Sequence, residues 1–288
     1  MAHEEDATSD TITQEIIFGD RMCPVKALPL PEGYKGAVYL NPNIEISGHS
    51  NDDVVACASG SRAALLIVFD GISTGKPGKP TYGFESGPVA KYAAEIGLAY
   101  AKAHLAAGRA FSLQEMHRHI GEAVKTAFIQ NTLPKGGLVG VSALLLPNGV
   151  IHVHRFGDAE IALSGVNGGR FWVPNELLPQ NMALRRYQED GDISIDQVLI
   201  PERKGAPITN FILTSRGLSN PEGPDWIHRL AAGQRFIMGS DGLMIYDQLK
   251  ALHETKGDAQ QLLSEVANHA NRFSTDNISG FAIQRIAA

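Results

Sequence analysis

The sequence is poor in cysteine, in long apolar runs and in net positive charge, and each shortage excludes a class of protein. Only Cys23 and Cys57 occur among 288 residues, too few for a disulfide framework or a cysteine zinc site, so we expect a reducing, cytoplasmic compartment. No apolar run reaches the roughly 20 residues that cross a bilayer, and the acidic start MAHEEDATSD lacks the apolar stretch of a signal peptide. The formal net charge of -6 argues against nucleic-acid binding, which needs a basic surface. We therefore expect neither a membrane nor a nucleic acid as partner.

The composition is that of an ordinary globular chain. Hydrophobic residues make up 43% of the sequence, which is enough for a sizeable core. We find no internal repeat and no long linker. We therefore predict a disordered tail over residues 1–14 and a single domain over residues 15–288.

Hydrophobic periodicity predicts strands and helices in separate stretches. Strands are predicted at 63–69, 138–146, 150–155, 160–164, 208–214, 235–239 and 278–285. Helices are predicted at 87–107, 112–130 and 259–272, with a short helix near 181–189. Because the strands cluster and the helices come in pairs, we expect an α+β sandwich rather than alternating βαβ units.

Aspartates mark the ends of several of these apolar strands. Asp70-Gly71 ends one strand, Asp241-Gly242 follows another, and Asp276-Asn277 opens the last. Each alone is typical of an ordinary turn. A carboxylate at a buried strand end is costly without a compensating charge, however, and hard cations such as Mg²⁺ and Mn²⁺ prefer oxygen ligands. The repeated pattern, together with Asn51-Asp52-Asp53 before a further apolar stretch, therefore favours a metal site.

The ordered motifs resemble those of the type 2C, metal-dependent protein Ser/Thr phosphatases, in a divergent, bacterial style. The similarity covers residues 36–286 and rests on short segments in the family's order. These are NDD at 51–53, VFDG at 68–71, GVS at 140–142, FGDAEIAL at 156–163, ILTSRGLSN at 212–220, GSDGL at 239–243 and TDNISG at 275–280.

The resemblance implies a four-layer α-β-β-α sandwich with two central antiparallel sheets and two Mn²⁺ or Mg²⁺ ions at one edge. It implies that Asp70 bridges both ions and that Asp241 and Asp276 complete the first. The Gly71 carbonyl would bind the second ion, with Asp53, and Asp52 beside it, helping through water. Asp158 corresponds to the acid that holds a third ion with Asp241 in many members.

Two departures from the family pattern concern the substrate phosphate. Gly48 stands where the family has a phosphate-binding arginine, which leaves His49 and Arg62 as the candidates for that role. Ile72 stands where some members have a histidine proposed as general acid. Both departures leave the predicted metal ligands in place.

The resemblance implies hydrolysis of phosphoserine or phosphothreonine in proteins by a metal-activated water. The expected partners are a phosphoprotein substrate and an opposing kinase, and we expect a monomer. A non-catalytic binding or scaffold module with the same fold, and a phosphatase for small phosphate esters, are the alternatives.

A separate pattern places His152 and His154 on the same side of a strand, a spacing that could hold zinc. No third ligand is evident nearby in the sequence. We therefore interpret this pair as part of a half-exposed sheet face.

Overall fold

The computed structural model describes residues 11–47, 50–72, 85–106, 111–157, 159–164, 211–219, 225–243, 251–252 and 254–287. Its strands are β1 Thr13–Ile17, β2 Cys23–Leu28, β3 Tyr34–Asn41, β4 Val54–Ser59, β5 Ala64–Gly71, β6 Gly137–Leu145, β7 Val150–Phe156, β8 Glu160–Leu163, β9 Phe211–Leu213, β10 Gly217–Ser219, β11 Trp226–Arg229, β12 Arg235–Gly239 and β13 Ile278–Arg285. The helices are α1 Ile44–Ser47, α2 Ser86–Ala106, α3 Leu113–Ile129 and α4 Ala259–Phe273.

The strands form two sheets whose pairings are antiparallel. The eight-stranded sheet has the order β1-β4-β5-β6-β7-β11, with β9 also paired to β6 and β10 paired to β9. The five-stranded sheet has the order β2-β3-β13-β12-β8. β1 and β2 are consecutive in the chain but lie at the edges of different sheets, so the chain crosses from one sheet to the other between them.

Three apolar clusters separate four layers. The inter-sheet cluster contains Val55, Val68 and Phe281. A second cluster, with Phe69 and Met116, joins the eight-stranded sheet to α2 and α3, and a third joins the five-stranded sheet to α4. Since alternate residues of a strand point to opposite faces, each sheet buries both of its faces. The predicted α-β-β-α sandwich is therefore confirmed.

The helix termini follow local capping rules. Ser112 caps α3 by accepting a hydrogen bond from the Glu115 N–H, the contact that the N-cap side chain makes in a capping box. Asp225, distant in sequence, adds a carboxylate that accepts from the first two N–H groups of α3. Asp258 and Gln261 form a complete capping box on α4.

Most of the expected elements agree with the structure, and β1 begins at Thr13, two residues before the boundary that we predicted at residue 15. The helix expected near 181–189 lies outside the described residues. The interpretation of the two histidines was wrong for His154, which is buried against α3. No helix in the described part of the chain is long and apolar enough to span a bilayer.

Candidate functional site

Two of the predicted acids lie side by side where β4 begins and β5 ends. The register pairs Val54 with Phe69, so one further step places Asp53 opposite Asp70. Val55 and Val68 belong to the inter-sheet cluster. By strand alternation, Asp53 and Asp70 therefore also face the second sheet.

The second sheet brings two more acids to the same edge. Gly239 at the end of β12 pairs with Gly280 near the start of β13, so Asp241 and Asp276 flank adjacent strand ends. Ser240 and Ser279 are buried beside them and joined by the bond from the Ser240 N–H to the Ser279 carbonyl, 3.0 Å. Asp276 accepts from the Asn277 N–H at 2.8 Å through Oδ1.

Asp53 is the most deeply buried member of this group, with 2% of its surface exposed. Burial raises the pKa of its carboxyl from 3.8 to about 8. Hydrogen bonds from Ser240 and Ser279 oppose this shift in pKa, whereas the negative charges of Asp276 and Asp241 add to it. These charge interactions show that acids from both sheets share one electrostatic environment.

This arrangement has the donor chemistry of a hard-cation site. Asp53 Oδ2 is buried without a hydrogen-bond partner in the structure, a costly state that a divalent cation would relieve. Within the described residues, no three His, Cys, Asp or Glu side chains lie close enough together to hold one ion as they stand. The all-oxygen character of the carboxylates fits Mg²⁺ or Mn²⁺.

Asp52, the acid next to Asp53, is engaged in holding the fold together. Its Oδ1 accepts from the Gly87 N–H in the first turn of α2 at 2.9 Å, where a carboxylate is favoured by the helix dipole. Its carbonyl accepts from the Gly71 N–H at 3.2 Å. The structure thus gives Asp52 a helix-capping role that the motif did not indicate.

The other positions that the sequence singles out are Gly48, His49, Asp158 and Arg62. Gly48, His49 and Asp158 lie outside the described residues. Arg62 lies in the turn between β4 and β5, at the end of these strands opposite to the acids. At about 3.3 Å per residue, the strand from Arg62 to Asp70 spans roughly 25 Å. Arg62 is therefore too far away to contact a phosphate beside Asp70, and that expectation is corrected.

Sequence reasoning missed the amides that organise the acids. Asn51 brackets Asp53, because its Nδ2 donates to the Asp53 carbonyl at 2.7 Å and its Oδ1 accepts from the Asp53 N–H at 3.2 Å. The Asn277 side chain also makes two hydrogen bonds, one to the backbone of Asp52 and one to the backbone of Pro42. Asn51 in NDD and Asn277 in TDN stand close to an acid in the sequence, but neither motif shows which groups the amide contacts.

Comparisons with known proteins give a clear result for the fold. No family model and no curated protein matches the sequence. Among solved structures, RsbX in complex with magnesium has a TM-score of 0.59 at 13% identity, covering 90% of this chain and 98% of its own. The serine/threonine phosphatase Stp1 from Staphylococcus aureus has a TM-score of 0.57 at 15% identity, covering 96% of each chain.

A third structure, the catalytic domain of the serine/threonine protein phosphatase PstP with two manganese ions, has a TM-score of 0.51 at 16% identity. It covers 96% of this chain and 100% of its own. At these identities the similarity is one of fold.

Proposed function

We propose that this chain, which has the fold of the type 2C metal-dependent phosphatases, hydrolyses phosphoserine or phosphothreonine in proteins. The observation that carries the proposal is the convergence of carboxylates from both sheets at one edge. Structures with this fold include Ser/Thr phosphatases, one of them with two manganese ions. A phosphoprotein substrate and an opposing kinase are part of the proposal, as is a cytoplasmic monomer.

The acids at this edge of the two sheets would act as metal ligands. Asp70, Asp241 and Asp276 would hold Mn²⁺ or Mg²⁺, with Asp53 and the Gly71 carbonyl completing the set. Two ions per chain are proposed, with a third at Asp158. The bound ions would supply Lewis acidity and an activated water.

The protein's own contribution is positioning and charge. The Asp53 carboxyl is kept away from bulk solvent and fixed through both its backbone groups by Asn51. Ile72 is held by backbone bonds, its N–H donating to the Gly137 carbonyl at 2.9 Å, and it offers no acidic group. We therefore propose that the leaving oxygen takes its proton from water.

Metal-dependent turnover tests this proposal. Phosphate release from a phosphothreonine peptide and from p-nitrophenyl phosphate is measured while Mn²⁺ is titrated, with wild type, Asp70→Asn and Asp258→Asn. Asp258 is the matched control, because it caps α4 at the end away from Asp276 and asparagine also caps helices well. We expect loss of activity in Asp70→Asn alone.

The same assay separates the alternatives. Gly48 in place of the family's arginine favours a non-catalytic binding module, which would bind Mn²⁺ and phosphopeptide in calorimetry without turnover. Rapid turnover of small esters with none of the phosphopeptide would identify a small-ester phosphatase. Wild-type activity no higher than that of Asp70→Asn, with Mn²⁺ bound, would refute an enzymatic role.

A further inference from the structure

We propose that Asn277 is a positioning residue that fixes the acids of one sheet in place relative to the acids of the other sheet. The inference rests on the proposed function, because it concerns the same metal site. Asn277 has 2% of its surface exposed and stands immediately before β13. Its side chain and backbone contact segments that carry acids on both sides of the inter-sheet gap.

The side chain joins the two sheets directly. Its Oδ1 accepts from the Asp52 N–H at 2.9 Å, and its Nδ2 donates to the carbonyl of Pro42, the residue after β3. One amide thus ties the segment before β4, in the eight-stranded sheet, to the end of β3, in the five-stranded sheet. Both amide functions are used, and both partners are backbone groups.

The connection continues from Asp52 into the first sheet. The Asp52 carbonyl accepts from the Gly71 N–H, the residue after Asp70, and Asp53 follows Asp52 in the chain. A change at Asn277 would therefore pass through Asp52 to both acids of the eight-stranded sheet.

The backbone of Asn277 contacts the other two acid-bearing segments. Its N–H donates to Asp276 Oδ1 at 2.8 Å. Its carbonyl oxygen lies so close to Gly242 that a Cβ at that position would overlap it. The Asp241-Gly242 turn is therefore packed against Asn277, and a larger residue at 242 could not approach as closely.

These contacts assign Asn277 an indirect role in metal binding. Residues that orient metal ligands typically change metal affinity by about 10- to 100-fold when replaced. We expect Asn277→Leu, which keeps the size but removes both hydrogen-bonding groups, to weaken Mn²⁺ binding by at least tenfold.

Gln234 provides a matched control for the loss of a buried amide. Its Oε1 accepts from the Ala231 N–H at 2.7 Å and its Nε2 donates to the Ser164 carbonyl at 2.8 Å, the same pair of bonds that Asn277 makes. It precedes β12, whereas the acids lie beyond the other end of that strand. Gln234→Met should lower thermal stability without changing the dissociation constant for Mn²⁺.

The experiment measures Mn²⁺ affinity by calorimetry and the thermal midpoint of the metal-free protein for wild type, Asn277→Leu and Gln234→Met. Similar losses of stability, with weakened Mn²⁺ binding in Asn277→Leu alone, support the positioning role. An Mn²⁺ affinity of Asn277→Leu within about twofold of wild type would overturn it. If Asn277→Leu does not fold, Asn277→Ser replaces it, and the same comparison decides.

The two proposals fail in different ways. If wild type itself binds no Mn²⁺, the proposed function fails and the role of Asn277 fails with it. If wild type binds Mn²⁺ and hydrolyses phosphopeptide, and Asn277→Leu does both equally well, only the positioning role is refuted.

Discussion

A buried pair of histidines predicts a specific loss of stability in mild acid. His117 on α3 is fully buried, and its Nδ1 lies 2.7 Å from Nδ1 of His154 on β7. Its Nε2 lies 2.8 Å from the Ser142 hydroxyl, and Phe156 packs against its ring. A neutral imidazole satisfies this network, since it has one N–H to donate and one nitrogen to accept.

Burial, with a further contribution from His154, lowers the pKa of His117 well below its ordinary value of 6.5. The unfolded chain therefore takes up a proton near pH 6.5 that the folded protein does not. The contribution of His117 to the free energy of unfolding is therefore complete above pH 6.5 and is lost as the pH falls below that value. For a folded state that stays neutral, the loss between pH 7.5 and pH 5.5 is on the order of 1 kcal/mol.

Urea unfolding of the metal-free protein at several pH values tests this magnitude. Other groups titrate in the same range, so the informative quantity is the difference in free energy of unfolding between wild type and His117→Gln. That difference should shrink by roughly 1 kcal/mol between pH 7.5 and pH 5.5. His119→Gln is the matched control, because His119 lies on the exposed face of the same helix and its replacement leaves the buried histidine pair in place. If the difference in free energy of unfolding between wild type and His117→Gln does not change with pH, the reasoning is refuted.

Three further predictions concern caps, charge and close packing. Asp225→Ala removes the acceptor for two N–H groups of α3 and should lower the free energy of unfolding by about 1 kcal/mol in urea titrations; no change would show that Ser112 alone is a sufficient cap. The raised pKa of Asp53 makes the contribution of this carboxyl to the stability of the metal-free protein decline from pH 3.8 up to about 8. Asp53→Asn should remove that decline when the thermal midpoint is measured against pH. A pH dependence equal to that of wild type would contradict the burial of the Asp53 carboxyl. Gly242→Ala must displace Asn277 and should cost about 1–3 kcal/mol in urea unfolding, whereas wild-type stability would contradict the close contact.

The sequence predicted several elements closely, but the buried apolar strand β4 was not among the predicted strands. The strand expected at 278–285 matches β13, and the helix expected at 259–272 matches α4 to within one residue. β2 was missed because Pro24 lies within it. A proline is tolerated there since β2 is an edge strand and its pairing shifts register between Cys23 and Lys26. Edge position is set by tertiary structure and is not visible in a local pattern.

Some residues of the candidate site could be predicted from local sequence and others could not. Local motifs identified the acids, because each follows or precedes an apolar strand. The part played by Asn277 and Asp52 could not be predicted, since their hydrogen bond joins residues 225 positions apart. The opposite error at Arg62 has the same origin: the residue is near Asp70 in sequence, but a strand carries it to the far end of the sheet.

The most direct test of the account is Mn²⁺-dependent phosphate release from a phosphothreonine peptide by wild type and by Asp276→Asn. The proposed function predicts turnover in wild type that rises with Mn²⁺ and is abolished by EDTA. It predicts little or none in Asp276→Asn, because one carboxylate of the edge cluster is lost. Equal turnover by the two proteins, or wild-type turnover that persists in EDTA, would contradict a metal-dependent phosphatase site at this edge.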